Sequence, residues 1–184
     1  MATDFPAHMV DTSLVEAGAI VGPSSRIWHN SHVRAGATLG EAVVVGDGAF
    51  IDSGAVVGSR SKIQNNAQLF GPATLGEGVF IGPGVILTND LHPRAVHADG
   101  SPIRRADWVA SGCTIGRGAS IGAASTVVCT EVGEWALVGA GSIVVRPVAP
   151  HGLAVGNPAH QIGWVCYCGQ RQVTICERCG WKVP

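Results

Sequence analysis

The stretch "VGPSSRIWHNSHVRAGATLGEAVVVGDGAFIDSGAVVG", residues 21–58, decides the fold, because an aliphatic side chain returns in it at every sixth position. A period of six fits neither the 3.6 residues of a helical turn nor the alternation of a single strand. It predicts a solenoid in which each hexad forms one short strand and a turn. Followed in both directions, the series has thirteen members without exception: Val15, Val21, Ile27, Val33, Leu39, Val45, Ile51, Val57, Ile63, Leu69, Leu75, Ile81 and Leu87.

A second series accompanies the first, since a small or β-branched residue lies four places after each of its first twelve members, from Ala19 to Val85. Three hexads predict one triangular coil of 18 residues, with the aliphatic residue inside and the small residue near a corner. Stacked coils would pair parallel strands about 4.8 Å apart. After an interruption, we expect the hexads to resume at Val109 and to slip by one residue between Val127 and Val132.

Composition limits the class of protein. The 184 residues predict one domain with a short appendage. Lys and Arg number 12 against 13 Asp and Glu, which argues against a nucleic-acid or membrane-surface protein. Residues 1–10 lack the basic and apolar regions of a signal peptide, and no stretch approaches the roughly 18 apolar residues of a spanning helix. We therefore expect a soluble, cytoplasmic protein.

The interruption, "ILTNDLHPRAVHADGSPIRRADWVASG" at residues 86–112, predicts a loop inserted at 90–108. Insertions at solenoid corners tend to carry function, although a solvated loop without a role is the alternative. Three adjacent amides, Gln64, Asn65 and Asn66, precede Asn89 by 23 to 25 residues, or about 1.4 coils. We expect them to approach the root of the loop, where amides can bind a polar ligand; an Asn ladder at a turn is the alternative.

The hexads resemble the left-handed parallel β-helix of the hexapeptide-repeat family over about residues 8–160. This all-β fold, its handedness and a homotrimer with sites between subunits are what the resemblance implies. The motifs "IWHNSHVRAGATLG", "KIQNNAQLF", "TNDLHPRA", "IGAASTVVC" and "GNPAHQIGWV" together resemble the 3-N-acetyltransferases of nucleotide-linked 3-amino sugars, enzymes of surface polysaccharide biosynthesis. The resemblance implies acetyl-CoA as donor and a UDP- or dTDP-linked amino sugar as acceptor, in a domain at residues 1–160.

The resemblance also implies roles for individual residues. Asn89 would contact the reacting amine or the acyl carbonyl. His92 is a candidate general base, but the resemblance equally allows a reaction in which the departing thiolate takes the proton. Arg94 would bind the anionic part of the acceptor or brace the loop. Five further residues complete the acceptor side: Gln64, Asn65 and Asn66 in the sugar pocket, and His29 and His32, which are either ligand-binding or hydrogen-bonded corner residues.

Acyl transfer also requires donors for a developing oxyanion, and backbone N–H groups at small-residue turns can supply them. The candidate segment is "IGAAS" at residues 121–125. CoA is expected along the coils after the loop and at the "GNPA" turn, which would also end the solenoid. The predicted cofactor-binding residues are Gly122, Ala123, Gly156, Asn157, Pro158 and Ala159.

The tail, residues 161–184, contains "CYCGQRQVTICERCG", in which Cys166, Cys168, Cys176 and Cys179 have the spacing C-x-C-x7-C-x2-C. Two close thiolate pairs resemble the knuckles of a zinc ribbon and suit a closed, structural Zn²⁺ site; disulfides or an iron site are the alternatives. We expect the tail to cap the last coil or to pack on a neighbouring subunit. Two further cysteines, Cys113 and Cys129, are predicted to be small buried hydrophobes within the hexads.

Other functions fit parts of the pattern. A γ-type carbonic anhydrase shares the β-helix, and His92 and His97 have a superficially suitable spacing, but a third ligand is missing. A non-catalytic scaffold on a β-helix is a second alternative. A third keeps the acyl transfer and changes the amine that accepts the acetyl group.

Overall fold

The computed structural model describes residues 12–184, so the expectations about a signal peptide and about the domain's start at residue 1 lie outside the described residues. Twenty of the 22 strands in this part contain only two residues. In chain order the elements are β1 Leu14–Val15, β2 Ile20–Val21, β3 Arg26–Ile27, β4 His32–Val33, β5 Thr38–Leu39, β6 Val44–Val45, β7 Phe50–Ile51, β8 Val56–Val57, β9 Lys62–Ile63, β10 Gln68–Leu69, β11 Thr74–Leu75, β12 Phe80–Ile81, β13 Ile86–Leu87, the 3₁₀-helix Arg105–Asp107, β14 Thr114–Ile115, β15 Ser120–Ile121, β16 Thr126–Val127, β17 Glu131–Val132, β18 Leu137–Val138, β19 Ile143–Val144, β20 Gly152–Gly156, β21 Ala159–Val165 and β22 Arg171–Gln172.

The strands form three sheets, and consecutive strands go to different sheets. One sheet contains β1, β4, β7, β10, β13, β16 and β19; the second contains β2, β5, β8, β11, β14 and β17; the third contains β3, β6, β9, β12, β15, β18 and β20–β22. Before the interruption each strand pairs in parallel with the strand 18 residues later, as in Val33↔Ile51 and Leu39↔Val57. The predicted all-β solenoid with three hexads per coil is therefore confirmed.

The core is a column of aliphatic side chains from the predicted six-residue series. Leu39, Ile51 and Ile63 are at most 1% exposed, and Ala37 and Ala55, from the small-residue series, are fully buried. Burying so many apolar side chains is the main favourable contribution to folding. Because two-residue strands provide little local stability, the stacked side chains must hold the coils together.

Serines replace alanine at several of these buried corners without leaving a polar atom unpaired. The Ser61 hydroxyl donates to the carbonyl of Gly76 at 3.2 Å and accepts the N–H of Val79 at 3.1 Å. No buried side-chain nitrogen or oxygen of residues 12–184 lacks a partner. The corners are thus tied from coil to coil by hydrogen bonds that satisfy the requirement for buried polar groups.

Glycine follows many strands because the backbones of successive coils approach closely there. A Cβ at Gly58 would lie 2.5 Å from the carbonyl carbon of Gly76 in the next coil. No side chain fits at that distance, so these glycines are explained by packing.

The loop is larger than the sequence indicated. Strand β11 pairs with β14, so that Leu75 lies opposite Ile115, 40 residues later instead of 18. The prediction that Val109 begins the resumed hexads is wrong: its side chain is 86% exposed and belongs to no strand. The predicted slip is confirmed, since Ile115 pairs with Val132 after only 17 residues.

The end of the solenoid is covered by a hairpin. Strand β20 pairs in parallel with β18, and β21 folds back antiparallel to β20. This hairpin leads from the last coil into the cysteine-rich tail. The described residues contain no helix with the length and apolar character needed to cross a membrane.

Candidate functional site

A cleft of about 560 Å³ lies at the root of the inserted loop. Its walls come from three successive coils and from both ends of the loop. Asn89 and Arg94, two of the predicted site residues, line it, and so do Arg34, Asp52 and Trp108. The insertion therefore does build a concave site beside the regular solenoid.

The loop above the cleft is internally bonded. Its outer part is a small hairpin, in which Val96 and Pro102 form an antiparallel bridge. Its return is anchored to its start, because the indole N–H of Trp108 donates to Asp90 Oδ2 at 2.9 Å. Asp107 Oδ2 accepts the N–H of Arg104 at 3.0 Å and fixes the short 3₁₀-helix between hairpin and anchor.

Asn89 is held by its amide group. Its Nδ2 donates to the carbonyl oxygen of Gly71 at 2.8 Å, and its own carbonyl accepts the N–H of Ser111 at 2.9 Å. Because a carbonyl can only accept, this contact orients the amide with Nδ2 toward Gly71. No donor among residues 12–184 reaches Oδ1 of Asn89, so this oxygen is available to a ligand in the cleft.

A column of charged residues runs under the cleft, one per coil. Arg34 Nη1 lies 2.8 Å from Asp52 Oδ1, and Asp52 Oδ2 accepts the N–H of Gly71 at 3.3 Å. The peptide that receives the Asn89 hydrogen bond is thus itself fixed by Asp52. The sequence analysis missed Arg34 and Asp52, although reading the chain at 18-residue intervals from Asn89 toward the N-terminus would have pointed to this column.

His32 belongs to the same column but does not reach the cleft. Its Nε2 lies 2.6 Å from Glu16 Oε1. Hydrogen bonds from the N–H of Ala35 and from His32 lower the pKa of the Glu16 carboxyl below its usual 4.5. Strand β4 lies three strand spacings from β13, or about 14 Å. Within one chain His32 is therefore a hydrogen-bonded residue remote from Asn89.

His92 faces away from Asn89. Its N–H donates to Asp90 Oδ1 at 2.9 Å, and its exposed side chain lines a smaller depression of about 240 Å³ with Leu91 and Asp107. Arg94 lines both depressions. The two predicted catalytic residues are neighbours in sequence, but the structure does not bring their side chains into one cleft.

The amide cluster lies at a different corner, and the expectation that it approaches the loop root within the chain is wrong. Asn66 precedes β10, whereas Asn89 follows β13, and these two strands pair in parallel and in register. The residues therefore lie at opposite ends of the strands, about 15 Å apart along the strand direction. Gln64 and Asn65 share the corner of Asn66, because all three lie in the turn between β9 and β10.

The corner with the amides also holds other predicted residues. A ladder of turn hydrogen bonds runs along it: His29 O accepts Gly48 N, Asn65 O accepts Gly84 N, and Ala123 O accepts Gly141 N. At Gly122 a Cβ would collide with the backbone of Ala140, so packing alone accounts for this glycine. The structure thus groups His29, Gln64, Asn65, Asn66, Gly122 and Ala123 on one edge of the prism.

The "GNPA" turn reaches this same edge. Asn157 and Pro158 form the turn of the β20–β21 hairpin, whose last pair is Gly156 with Ala159. The N–H of Gly156 donates to Ser142 Oγ at 3.1 Å. Ser142 N in turn donates to Ser125 Oγ at 3.2 Å, next to the "IGAA" segment. The two segments predicted to bind CoA are therefore connected in the structure.

The four tail cysteines converge. All four Sγ atoms lie within 4.8 Å of one another, and Cys166 and Cys176 are buried. Zn–S bonds of about 2.3 Å place the sulfurs of a tetrahedral site about 3.8 Å apart, so the cluster fits a tetrathiolate metal. Residues 12–184 contain no second group of three or more potential ligands, and in particular none that includes His92 or His97.

The cluster also divides the thiols by acidity. Burial opposes ionisation of Cys166, but hydrogen bonds from the Cys176 thiol and from the backbone lower its pKa to about 6. Burial and the interaction with Cys179 raise the pKa of Cys168 to about 11. Such opposed pKa values are expected where several thiols share few protons in a small volume.

The tail packs on the chain's own last coils. The ring of His151 stacks on Trp181 at 4.5 Å, and Tyr167 meets the edges of Trp135 and His151 at 5.0 and 4.9 Å. His151 Nδ1 also lies 2.9 Å from the carbonyl of Val165, the residue before Cys166. Of the isolated cysteines, Cys113 is buried as predicted, with its thiol directed at the carbonyl oxygens of Thr88 and Val127; Cys129 is only half-buried.

Comparison with known proteins supports acyl-transfer chemistry over part of the chain. No family profile matches it. A segment of 53 residues is 53% identical to dTDP-3-amino-3,6-dideoxy-α-D-galactopyranose 3-N-acetyltransferase of Aneurinibacillus thermoaerophilus and covers 28% of each chain. A segment of 52 residues is 44% identical to serine acetyltransferase 4 of Arabidopsis thaliana, and covers 28% of this chain and 15% of the relative. The matches thus span less than a third of either curated relative.

Among solved structures, a Bacillus cereus protein provisionally described as an acetyltransferase superimposes with a TM-score of 0.53. The match covers 82% of this chain and 86% of the other at 21% identity. At that identity the likeness establishes the fold, which is the β-solenoid of hexapeptide-repeat acetyltransferases.

Proposed function

We propose that this protein is an acetyl-CoA-dependent N-acetyltransferase that acts on the 3-amino group of a UDP- or dTDP-linked amino sugar. The observation that carries the proposal is the 53-residue segment that is 53% identical to a dTDP-amino-sugar 3-N-acetyltransferase. The cleft at the loop root supports it, because Asn89 presents an unpaired amide oxygen there. The reaction forms a C–N bond between the sugar amine and the acetyl carbon and breaks the C–S bond of the thioester.

Asn89 orients the amine. Its Nδ2 is occupied by Gly71, so the group that it offers to a substrate is the acceptor Oδ1. An acceptor binds the N–H of an attacking amine and cannot stabilise an oxyanion. As the nitrogen attacks, it gains positive charge, and the hydrogen bond to Oδ1 strengthens in the transition state. Of the two roles that the sequence left open for Asn89, contact with the amine is therefore favoured.

The proton lost by the amine goes to the departing CoA thiolate in this proposal. His92 lines a separate depression and would have to move to reach an amine beside Asn89. A general base has to lie within hydrogen-bond reach of the proton or act through one water. His92 is accordingly the weaker candidate, and its substitution gives a direct test.

Acetyl-CoA is assigned to the edge that carries Ala123 and the Gly156–Ala159 turn, with Gln64, Asn65 and Asn66 beside it. In a single chain this edge and Asn89 lie at opposite ends of the same strands. A complete site would then combine the loop of one subunit with the amide edge of a neighbour, which is the arrangement expected for a homotrimer.

The four tail cysteines would hold a structural Zn²⁺. Their sulfur atoms have the number, type and mutual distance that such a site requires. A metal at this point would cross-link the two cysteine pairs and keep Tyr167 and Trp181 against His151. A tetrathiolate site has no open position, so the role assigned to it is to stabilise the tail.

Mass spectrometry of acetyl transfer tests the proposal. Zinc-replete protein is incubated with acetyl-CoA and a panel of UDP- and dTDP-linked 3-amino and 4-amino sugars. Gain of one acetyl group on a 3-amino sugar supports the full proposal, while transfer only to another amine retains the acyltransferase and rejects the acceptor. Absence of CoA binding would favour a non-catalytic scaffold, and hydration of CO₂ by a second, histidine-bound metal would favour the carbonic anhydrase.

A further inference from the structure

Arginine is concentrated around the cleft. Four of the protein's 12 Lys and Arg residues line it, namely Arg34, Arg94, Arg104 and Arg105. The whole chain has a net charge of −1, so this concentration is a local feature of the cleft. Three of the four come from the inserted loop.

The three loop arginines have no anionic partner within the chain. Arg34 is paired with Asp52, but Arg94, Arg104 and Arg105 form no ion pair with any carboxylate of residues 12–184. Three like charges directed to one small space repel one another. Their arrangement becomes favourable once an anion is bound between them.

The carboxylates at the cleft are already occupied. Asp90 accepts the indole N–H of Trp108 and the N–H of His92. Asp107 accepts the N–H of Arg104 and lies 3.6 Å from His97. These acidic groups shape the loop, which leaves the guanidinium groups as the free charges of the site.

The loop also fixes where the arginines lie. Arg104 and Arg105 stand between the hairpin and the Trp108 anchor, at the start of the 3₁₀-helix. Arg94 stands at the other end of the hairpin, and its Nη1 donates to the carbonyl of Pro93 at 2.9 Å. The two strands of the loop thus bring cationic groups to opposite sides of the cleft that contains Asn89.

We infer that Arg94, Arg104 and Arg105 bind the diphosphate of the acceptor, so that the nucleotide lies under the loop and the attached sugar reaches Asn89. This inference rests on the proposed function. A diphosphate diester carries two negative charges, and guanidinium groups bind such oxygens with paired hydrogen bonds. CoA contains the same chemical group, but the segments assigned to CoA, at Ala123 and Gly156, lie on another edge of the chain.

Binding measured by calorimetry tests the assignment without turnover. The titrants are UDP, dTDP and CoA, each at low and at moderate salt. The variant is Arg104→Ala/Arg105→Ala, and the matched control is Arg26→Ala/Arg146→Ala, which removes two exposed arginines far from the cleft and changes the net charge equally. Equal melting temperatures for the three proteins establish that the solenoid is intact.

The double variant is expected to raise the Kd of the nucleotide diphosphate about tenfold or more, as for the loss of charge-assisted hydrogen bonds at a partly exposed site. Its nucleotide binding should also depend less on salt. CoA affinity should stay within about twofold, and the control should bind all ligands like the unaltered protein.

The outcomes separate this inference from the function beneath it. Weaker CoA binding with unchanged nucleotide binding would give the arginines to the donor and overturn the inference, as would unchanged binding of both ligands. In either case the proposed acetyltransferase stands. If the unaltered protein bound neither CoA nor any nucleotide diphosphate, the proposed function would fail, and this inference with it.

Discussion

Replacing Asn89 by alanine tests the chemistry most directly. The variant loses the Nδ2 hydrogen bond to the Gly71 carbonyl, a neutral contact at 2.8 Å that contributes about 1 kcal/mol to stability. It also loses Oδ1, which accepts from an amine that becomes cationic during attack. Hydrogen bonds to charged groups contribute about 1.5–3 kcal/mol. The expected fall in kcat is therefore about 10- to 150-fold.

The change should fall on kcat and leave KM within about twofold, because the lost interaction strengthens only as charge develops on the nitrogen. The assay measures initial rates of acetyl transfer by mass spectrometry, with the acceptor identified by the sugar panel. His92→Ala is the matched control from the same loop, and it should keep its rate within about threefold because its side chain lines another depression. A rise in KM alone for Asn89→Ala, or a rate near normal, would refute the reasoning. A large loss for His92→Ala would identify this histidine as the base.

Three further outcomes follow from the fold and tail. Cys176→Ser should lower bound zinc, measured by plasma mass spectrometry, from about one per chain to well below half, with the far-UV circular dichroism of the solenoid unchanged; full retention of zinc would contradict the site. Gly82→Ala should destabilise by about 1–3 kcal/mol in urea unfolding, because its Cβ would lie 2.7 Å from the backbone nitrogen of Ala123. Glu16→Gln should lower the melting temperature at neutral pH. A carboxyl whose folded pKa is depressed contributes stability above its unfolded value of 4.5 and loses it as pH falls through the folded pKa, so the difference between the melting curves of the two proteins should vanish in acid.

The regular part of the fold could be predicted because the period itself carries the information. An aliphatic residue at every sixth place fixes which side chains face inward, and three hexads then close a coil. Ile51 and Ile63 are buried because no other arrangement of this pattern covers both. Even the slip before Val132 was readable, since the series simply moves by one place.

The loop could not be predicted in the same way, because its bonds are made by individual residues. Val109 fits the series by number and is nevertheless exposed, since the loop continues to the start of β14. The bond from Trp108 to Asp90 that determines this path has no periodic signature. The sequence identified Asn89 as the residue at the root, while its orientation depends on the carbonyl of Gly71, which only the coordinates reveal.

The amide cluster shows a different reason for failure. Counting 1.4 coils from Asn89 gave Asn66 the right height along the solenoid and ignored its position around the prism. Height is fixed by the number of coils, but the edge depends on the remainder within a coil. The remainder places Asn66 before a strand and Asn89 after one, at opposite ends of a paired register.

The 18-residue register gives every edge of the prism an address, namely the residue number modulo 18. Adding or removing one whole coil leaves all addresses intact, so such a change lengthens or shortens the protein as one adds rungs to a ladder. Removing a single hexad before the loop would instead turn everything downstream by a third of a revolution. Asn89 would then no longer stand above Asp52 and Gly71, although every side chain of the core would still find an aliphatic neighbour. Length is consequently a freely variable property of this architecture in steps of three hexads, whereas the cleft tolerates no other step.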